Sequence, residues 1–160
     1  MIDVKRDILP MKNVMYRMAL RLAPNTQEAE DIVQDVMIKL WNMRERLEDV
    51  ENLEAFALRM TRNLALDRQR MHINNTENID DIEAEHFAVT EQNDRKEQVE
   101  SIRNVMLQLP EKQRSAMHLR DFEGYSYKEI ASMLDMTEDQ VKVNIFRARQ
   151  YVKTKLTSFN

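Results

Sequence analysis

Apolar residues recur every three or four positions over both ends of this chain, the spacing of helices that bury one face. Val14, Met15, Met18 and Leu22 form a first stripe, ended by Pro24. Asn25 then stands three residues before Glu28, a pairing like a capping box, and Glu30 and Asp31 suit the positive end of a helix. From there Ala29, Ile32, Val33, Val36, Met37, Leu40 and Leu47 keep the i, i+3, i+4, i+7 rhythm. A polar break over 46–52 precedes a third predicted helix, from 53 to about 71. On it Leu53, Phe56, Met60, Leu64 and Met71 share one arc, with Arg59, Arg62 and Arg70 nearly opposite. Asp67 falls on the apolar arc and reads as a partly buried carboxylate held by an arginine or a backbone donor.

The C-terminal part repeats the helical period in shorter pieces. Val99, Ile102, Met106 and Leu109 make a stripe stopped by Pro110. A helix over 111–122 follows, and Gly124 is placed to end it in a left-handed conformation. Ser126 and Glu129 form a capping box ahead of a short helix that buries Ile130, Ala131 and Leu134. Asp135, Met136 and Thr137 make a turn, and Thr137 with Gln140 forms a second box. The last helix is predicted to reach about 156, with Val141, Ile145, Ala148 and Val152 inward. Residues 72–96 lack sustained periodicity and are polar and acidic, a linker with room for a short helix. The pattern therefore predicts an all-α chain of two small helical domains, 1–71 and 99–160, joined by a linker over 72–98.

Composition narrows the chemistry. With one glycine, turn-rich β folds and glycine-rich phosphate loops are excluded. With no cysteine there is no disulfide frame, thiol nucleophile or zinc knuckle. No apolar run approaches the roughly 20 residues of a membrane span, and the first residues lack an apolar signal core. The expectation is a soluble, intracellular protein. Its net charge of −4 is unevenly spread. Residues 1–71 balance at zero, 72–100 carry −7 and 101–160 carry +3. After Asp139, Lys142, Arg147, Arg149, Lys153 and Lys155 meet no acidic residue, so a basic tail is hidden by the chain average.

Two short capped helices across a three-residue turn describe a helix-turn-helix, whose second helix enters the DNA major groove N-terminus first. Thr137, Gln140 and Lys142 would then meet phosphates and base edges. Val143, Phe146, Arg147 and Gln150 project outward: Arg147 and Gln150 suit bidentate base contacts, and Val143 or Phe146 a thymine methyl. An ordinary helical hairpin with a solvated basic face fits the same spacing, and an exposed Phe146 equally suits a protein partner. In the first half, Asp31, Gln34, Asp35, Lys39 and Trp41 decorate a long amphipathic helix, either as solubilising and packing residues or as an anchor for a partner. Enzyme chemistry finds no support. His72, His86 and His118 are scattered without metal-ligand spacing, no Ser/His/Asp set suggests itself, and no cofactor is expected.

These residues resemble the extracytoplasmic-function sigma factors, small members of the bacterial sigma-70 family. EAEDIVQDVMIKLW, from Glu28 to Trp41, is similar to that family's DAEDLVQEVFLRLW stretch in region 2. FALRMTRNLALDRQR, starting at Phe56, is similar to the region 2 helix read as WLYRIARNLALDHLR. LPEKQR, EGYSYKEIASML and TEDQVKVNIFRAR, between Leu109 and Arg149, look like region 4. The resemblance implies a sigma factor directing core RNA polymerase to promoters. Asp31, Gln34, Asp35, Lys39 and Trp41 would dock on the β′ coiled coil. Loop 44–52, with Arg44 and Asn52 at its ends, and Arg59, Arg62, Asn63 and Arg70 would meet the melted minus-ten element. The helix carrying Thr137, Gln140, Lys142, Val143, Phe146, Arg147 and Gln150 would hold the minus-thirty-five duplex near the β flap. The acidic linker would thread polymerase channels that otherwise take nucleic acid. A membrane-linked anti-sigma factor would cover the polymerase-facing surfaces. The protein would be cytoplasmic, monomeric when free and not inserted in the membrane. Asp135 stands where the helix-turn-helix often has glycine, but aspartate tolerates the left-handed region better than most residues. A stand-alone DNA-binding regulator and a protein-binding helical adaptor are the competing classes.

Overall fold

The computed structural model describes residues 1–75 and 94–157; the middle of the predicted linker, 76–93, lies outside them. The chain divides into two compact units, Met1–Glu85 and His86–Asn160. Among the described residues all regular structure is helical.

The first unit opens with a wide helical turn, Val4–Ile8, whose leading end is closed by Asp3 accepting from the Lys5 amide at 2.8 Å. Helices α1 (Lys12–Leu22), α2 (Thr26–Asn42) and α3 (Leu53–Asn75) follow and pack on one another. Met15, Met18, Ile32, Leu40 and Leu58 are fully buried between them, together with Ile8 and Leu47 from the connecting turns. Each such side chain contributes about 1.5–3 kcal/mol relative to exposure. Asn25 caps α2 as expected, its Oδ1 accepting from the Glu28 amide at 2.8 Å. The Glu28 carboxylate reaches Arg68 of α3.

The orientation of α3 departs from the sequence expectation. Its buried residues are Ala55, Ala57, Leu58, Thr61, Arg62 and Ala65, on a face turned roughly a third of the circumference from the predicted arc. Leu53, Phe56, Met60 and Leu64 are half-buried, and Met71 is 60% exposed. Asp67 is exposed and lies 3.9 Å from Arg70, so the expected partly buried carboxylate is a solvated i, i+3 pair. The physical reason is side-chain size. Apolar residues occur all round this helix, and alanines permit the closer backbone approach to α1 and α2. Thr61 becomes compatible with full burial because its hydroxyl donates to the Ala57 carbonyl at 2.8 Å.

The second unit contains α4 (Asp94–Met106), α5 (Glu111–Met117) continuing into a wide turn (His118–Phe122), α6 (Tyr127–Leu134) and α7 (Glu138–Thr157). Helical residues thus reach into the expected linker from both sides, to Asn75 and from Asp94. Helix α7 packs on α4, α5 and α6; one core joins Val105, Met106, Leu109, Met117, Ala148 and Val152. Arg114 ties the end of α4 by donating to the carbonyls of Met106 at 3.2 Å and Leu109 at 2.9 Å. It supplies the cation and donors that a helix C-terminus lacks, and its own burial lowers its pKa. Gly124 ends the α5 segment at φ +79°, where only conformation matters because an added Cβ would meet nothing within 4 Å. On α6, Met133 joins Ile130 and Leu134 in the core, while Ala131 is only half-buried.

Candidate functional site

Three surfaces carry the residues singled out from the sequence. The first is the outer face of α2. Asp31 and Asp35 are half-buried, and Gln34, Lys39 and Trp41 are exposed. Asp31 accepts from Gln27 at 3.1 Å. Ile38, passed over in the sequence because it lies off the apolar stripe, sits on the same outer arc and is 56% exposed. An isoleucine one turn before Trp41, itself 41% exposed, makes an apolar centre with a polar border, the composition of a protein-binding face. The only advance signal was an apolar residue at an outward register position.

Asp35 is not an isolated carboxylate. Arg68 bridges it and Glu28, donating to Glu28 at 3.0 Å and to Asp35 through its other terminal nitrogen. Partial burial pulls the Arg68 pKa down, but the bonds to the two carboxylates outweigh it and the value is raised. Arg68 thereby fixes Asp35 on the α2 face. It too was missed, since charge alone did not distinguish it from the other arginines of α3.

The second surface follows α2. The Arg44 guanidinium lies 4.0 Å from the Trp41 ring centroid and donates to the Trp41 carbonyl at 3.0 Å. Together with Glu45, Glu48 and the first six residues of the chain they line a groove of about 850 Å³. Asn52 is occupied as the cap of α3, its Oδ1 accepting from the Ala55 amide at 3.0 Å. Arg59 is half-buried, and Asn63 and Arg70 are exposed along one side of α3. Arg62 turns inward and is 8% exposed, so it does not join the solvent-facing cluster.

The third surface is the α6–α7 pair. Ser126 and Glu129 exchange backbone–side-chain bonds of 3.1 Å each. Thr137 and Gln140 do likewise at 3.0 and 3.1 Å. Between the boxes Asp135 adopts φ +57°, ψ +50°. Thr137 and Gln140 therefore have their side chains engaged in the cap, while Lys142, Val143, Phe146, Arg147 and Gln150 are exposed along α7. Tyr127 of α6 carries two cations on its ring, Arg120 at 4.5 Å and Lys142 at 5.6 Å. Arg149 pairs with Asp121 through two bonds, one of 2.9 Å, which raise its pKa.

The model of sigma-70 region 2 matches residues 10–72 and that of sigma-70 region 4 matches residues 100–152. RNA polymerase sigma factor SigZ of Bacillus subtilis is 31% identical over 127 residues, covering 79% of this chain and 72% of that protein. ECF RNA polymerase sigma factor SigM of the same organism is 27% identical, covering 88% and 87%. Among solved structures, sigma factor RpoE of Bartonella quintana, crystallised with the anti-sigma factor NepR, shares the fold. Its TM-score is 0.80 at 24% identity, covering 97% of each chain. CnrH, solved with the cytosolic domain of CnrY, shares it at a TM-score of 0.70 and 18% identity, covering 96% of this chain and 87% of CnrH. Two family regions in their proper order, with a relative 31% identical over most of both chains, leave one assignment: the chain belongs to the sigma-70 family of RNA polymerase sigma factors, in its extracytoplasmic-function group.

Proposed function

We propose that this chain directs core RNA polymerase to promoters by three contacts, one to the enzyme and two to DNA. The presence of both sigma regions in one chain carries this reading and does not favour a stand-alone regulator. The α2 face bearing Asp31, Gln34, Asp35, Ile38, Lys39 and Trp41 docks on the β′ coiled coil. Arg44, loop 44–52 and the Arg59, Asn63 and Arg70 side of α3 meet the melted minus-ten strand. Unstacking a base there costs a few kcal/mol, offset by stacking and phosphate contacts. Helix α7 reads the minus-thirty-five duplex near the β flap through Lys142, Val143, Phe146, Arg147 and Gln150. The chain performs no reaction of its own and works in the cytoplasm, where polymerase is. Among the described residues no helix is long and apolar enough to cross a membrane. An anti-sigma factor, as in the complex of the Bartonella quintana relative, is the regulatory partner that fits.

The test is run-off transcription on genomic fragments with purified core polymerase. The chain should yield discrete promoter-dependent transcripts and co-elute with core in gel filtration. Asp35→Asn combined with Trp41→Ala should reduce co-elution at least tenfold, whereas Arg147→Ala should leave it intact and change promoter choice. Failure of the unaltered chain to associate with core would overturn the reading.

A further inference from the structure

Asp35 stands on α2 at the border between the outer face and the buried side, and Glu28 lies two turns before it, only about 20° away around the helix. Both carboxylates meet Arg68 of α3, which uses separate terminal nitrogens, Nη1 for Glu28 at 3.0 Å and Nη2 for the Oδ2 of Asp35. The three side chains are not equally covered. Glu28 and Arg68 are 19% and 26% exposed, whereas Asp35 is 44% exposed. The cluster therefore shows one acid to solvent and keeps the other acid and the arginine behind it.

Two carboxylates and one guanidinium leave a negative charge over. An Asp35–Arg68 pair alone would be neutral and would attract a basic partner weakly. With Glu28 offsetting the arginine, the remaining charge is displayed at the open acid. Held through Oδ2, Asp35 also gives up rotation among its side-chain wells before any partner arrives, a freedom that docking would otherwise have to remove.

We propose that Arg68 is a positioning residue for polymerase capture: it orients the Asp35 carboxylate for a basic group of the core enzyme, acting through Asp35 and not by touching the enzyme itself. The proposal rests on the assignment of the α2 face to the β′ coiled coil. Its sign separates it from plain charge attraction. Removing a cation from an acidic face should strengthen the pull on a basic partner, whereas removing a positioning residue should weaken capture.

The test is the affinity of the full chain, labelled with a fluorophore at its C-terminus, for purified core polymerase. Arg68→Ala, Asp35→Ala and the double variant are compared at a temperature where circular dichroism shows each of them folded. Arg68→Ala should bind core about three- to tenfold more weakly, the cost of ordering one side chain on binding. Arg68→Lys should recover less than half of that loss, since an ammonium lacks the fork. Added to Asp35→Ala, Arg68→Ala should cost nothing further, because the acid it orients is gone. Unchanged or tighter binding by Arg68→Ala would overturn the proposal. So would an equal loss on the Asp35→Ala background, the result expected if Arg68 merely ties α3 to α2 through Glu28. Asp35→Ala separates the two levels. If it weakens capture and Arg68→Ala does not, only the positioning role falls; if it leaves capture unchanged, the assignment of Asp35 to the docking face falls with it.

Discussion

Asp135 holds a backbone conformation that costs most L-residues about 1–2 kcal/mol, yet it sits in the turn that sets the angle between α6 and α7. Its φ of +57° is tolerable because a short polar side chain crowds the backbone little. Asp135→Val should therefore lower stability by about 1–2 kcal/mol in urea unfolding of the full chain, and by more than Asp135→Asn, which keeps a short polar side chain. Arg68 is the other residue whose environment decides its effect. Two carboxylates share its guanidinium, and charge-assisted bonds of this kind contribute more than neutral ones. With each group partly open to water, Arg68→Ala should cost about 1–2 kcal/mol. Arg68→Lys should recover less than half, because an ammonium lacks the fork that spans both acids. The raised arginine pKa has a definite sign. Its contribution is complete below the ordinary arginine value and is lost only as pH climbs through the folded value, in strong alkali.

At the scale of elements, the helices and their ends were legible from spacing and caps, but one helix face was not. Asn25, the Ser126–Glu129 box, the Thr137–Gln140 box and Gly124 all occupy the roles their residue types announce. These are local effects, set within three or four residues of chain. The buried side of α3 is a tertiary effect. Large apolar residues were available on one side and small ones on another, and close contact with two neighbours selected the small side. Leu58→Ala should consequently cost about 2–5 kcal/mol, whereas Met71→Ala, on the arc favoured by the sequence, should stay within about 0.5 kcal/mol. Ser126→Ala should remove about 1 kcal/mol by opening one cap. Denaturant unfolding checks all three. Of the candidate site, the exposed strip of α7 was readable from helical register. Arg68 was not, because its meaning depends on the α2 carboxylates it meets, and Ile38 showed only as an apolar residue at an outward register position.

For the whole molecule, modest contacts at separate places become selective when one chain carries them all, since the second contact forms at the effective concentration set by the first. Part of that grip is electrostatic and must weaken with salt as counterions return to the phosphates. Promoter affinity of the holoenzyme should fall linearly on a log–log plot against salt. Lys142→Ala should reduce the slope by about one, with little change in sequence preference, while Arg147→Ala should alter the preference itself. A filter-binding series at several salt concentrations distinguishes the two.

The paired boxes that open α6 and α7 use side chains lying at the helix starts, away from the strip formed by Val143, Phe146, Arg147 and Gln150. Scaffold and proposed reading head are thus written in separate letters. A lineage can rewrite the outward positions, and with them the set of genes it switches on, without first re-solving how the hairpin folds.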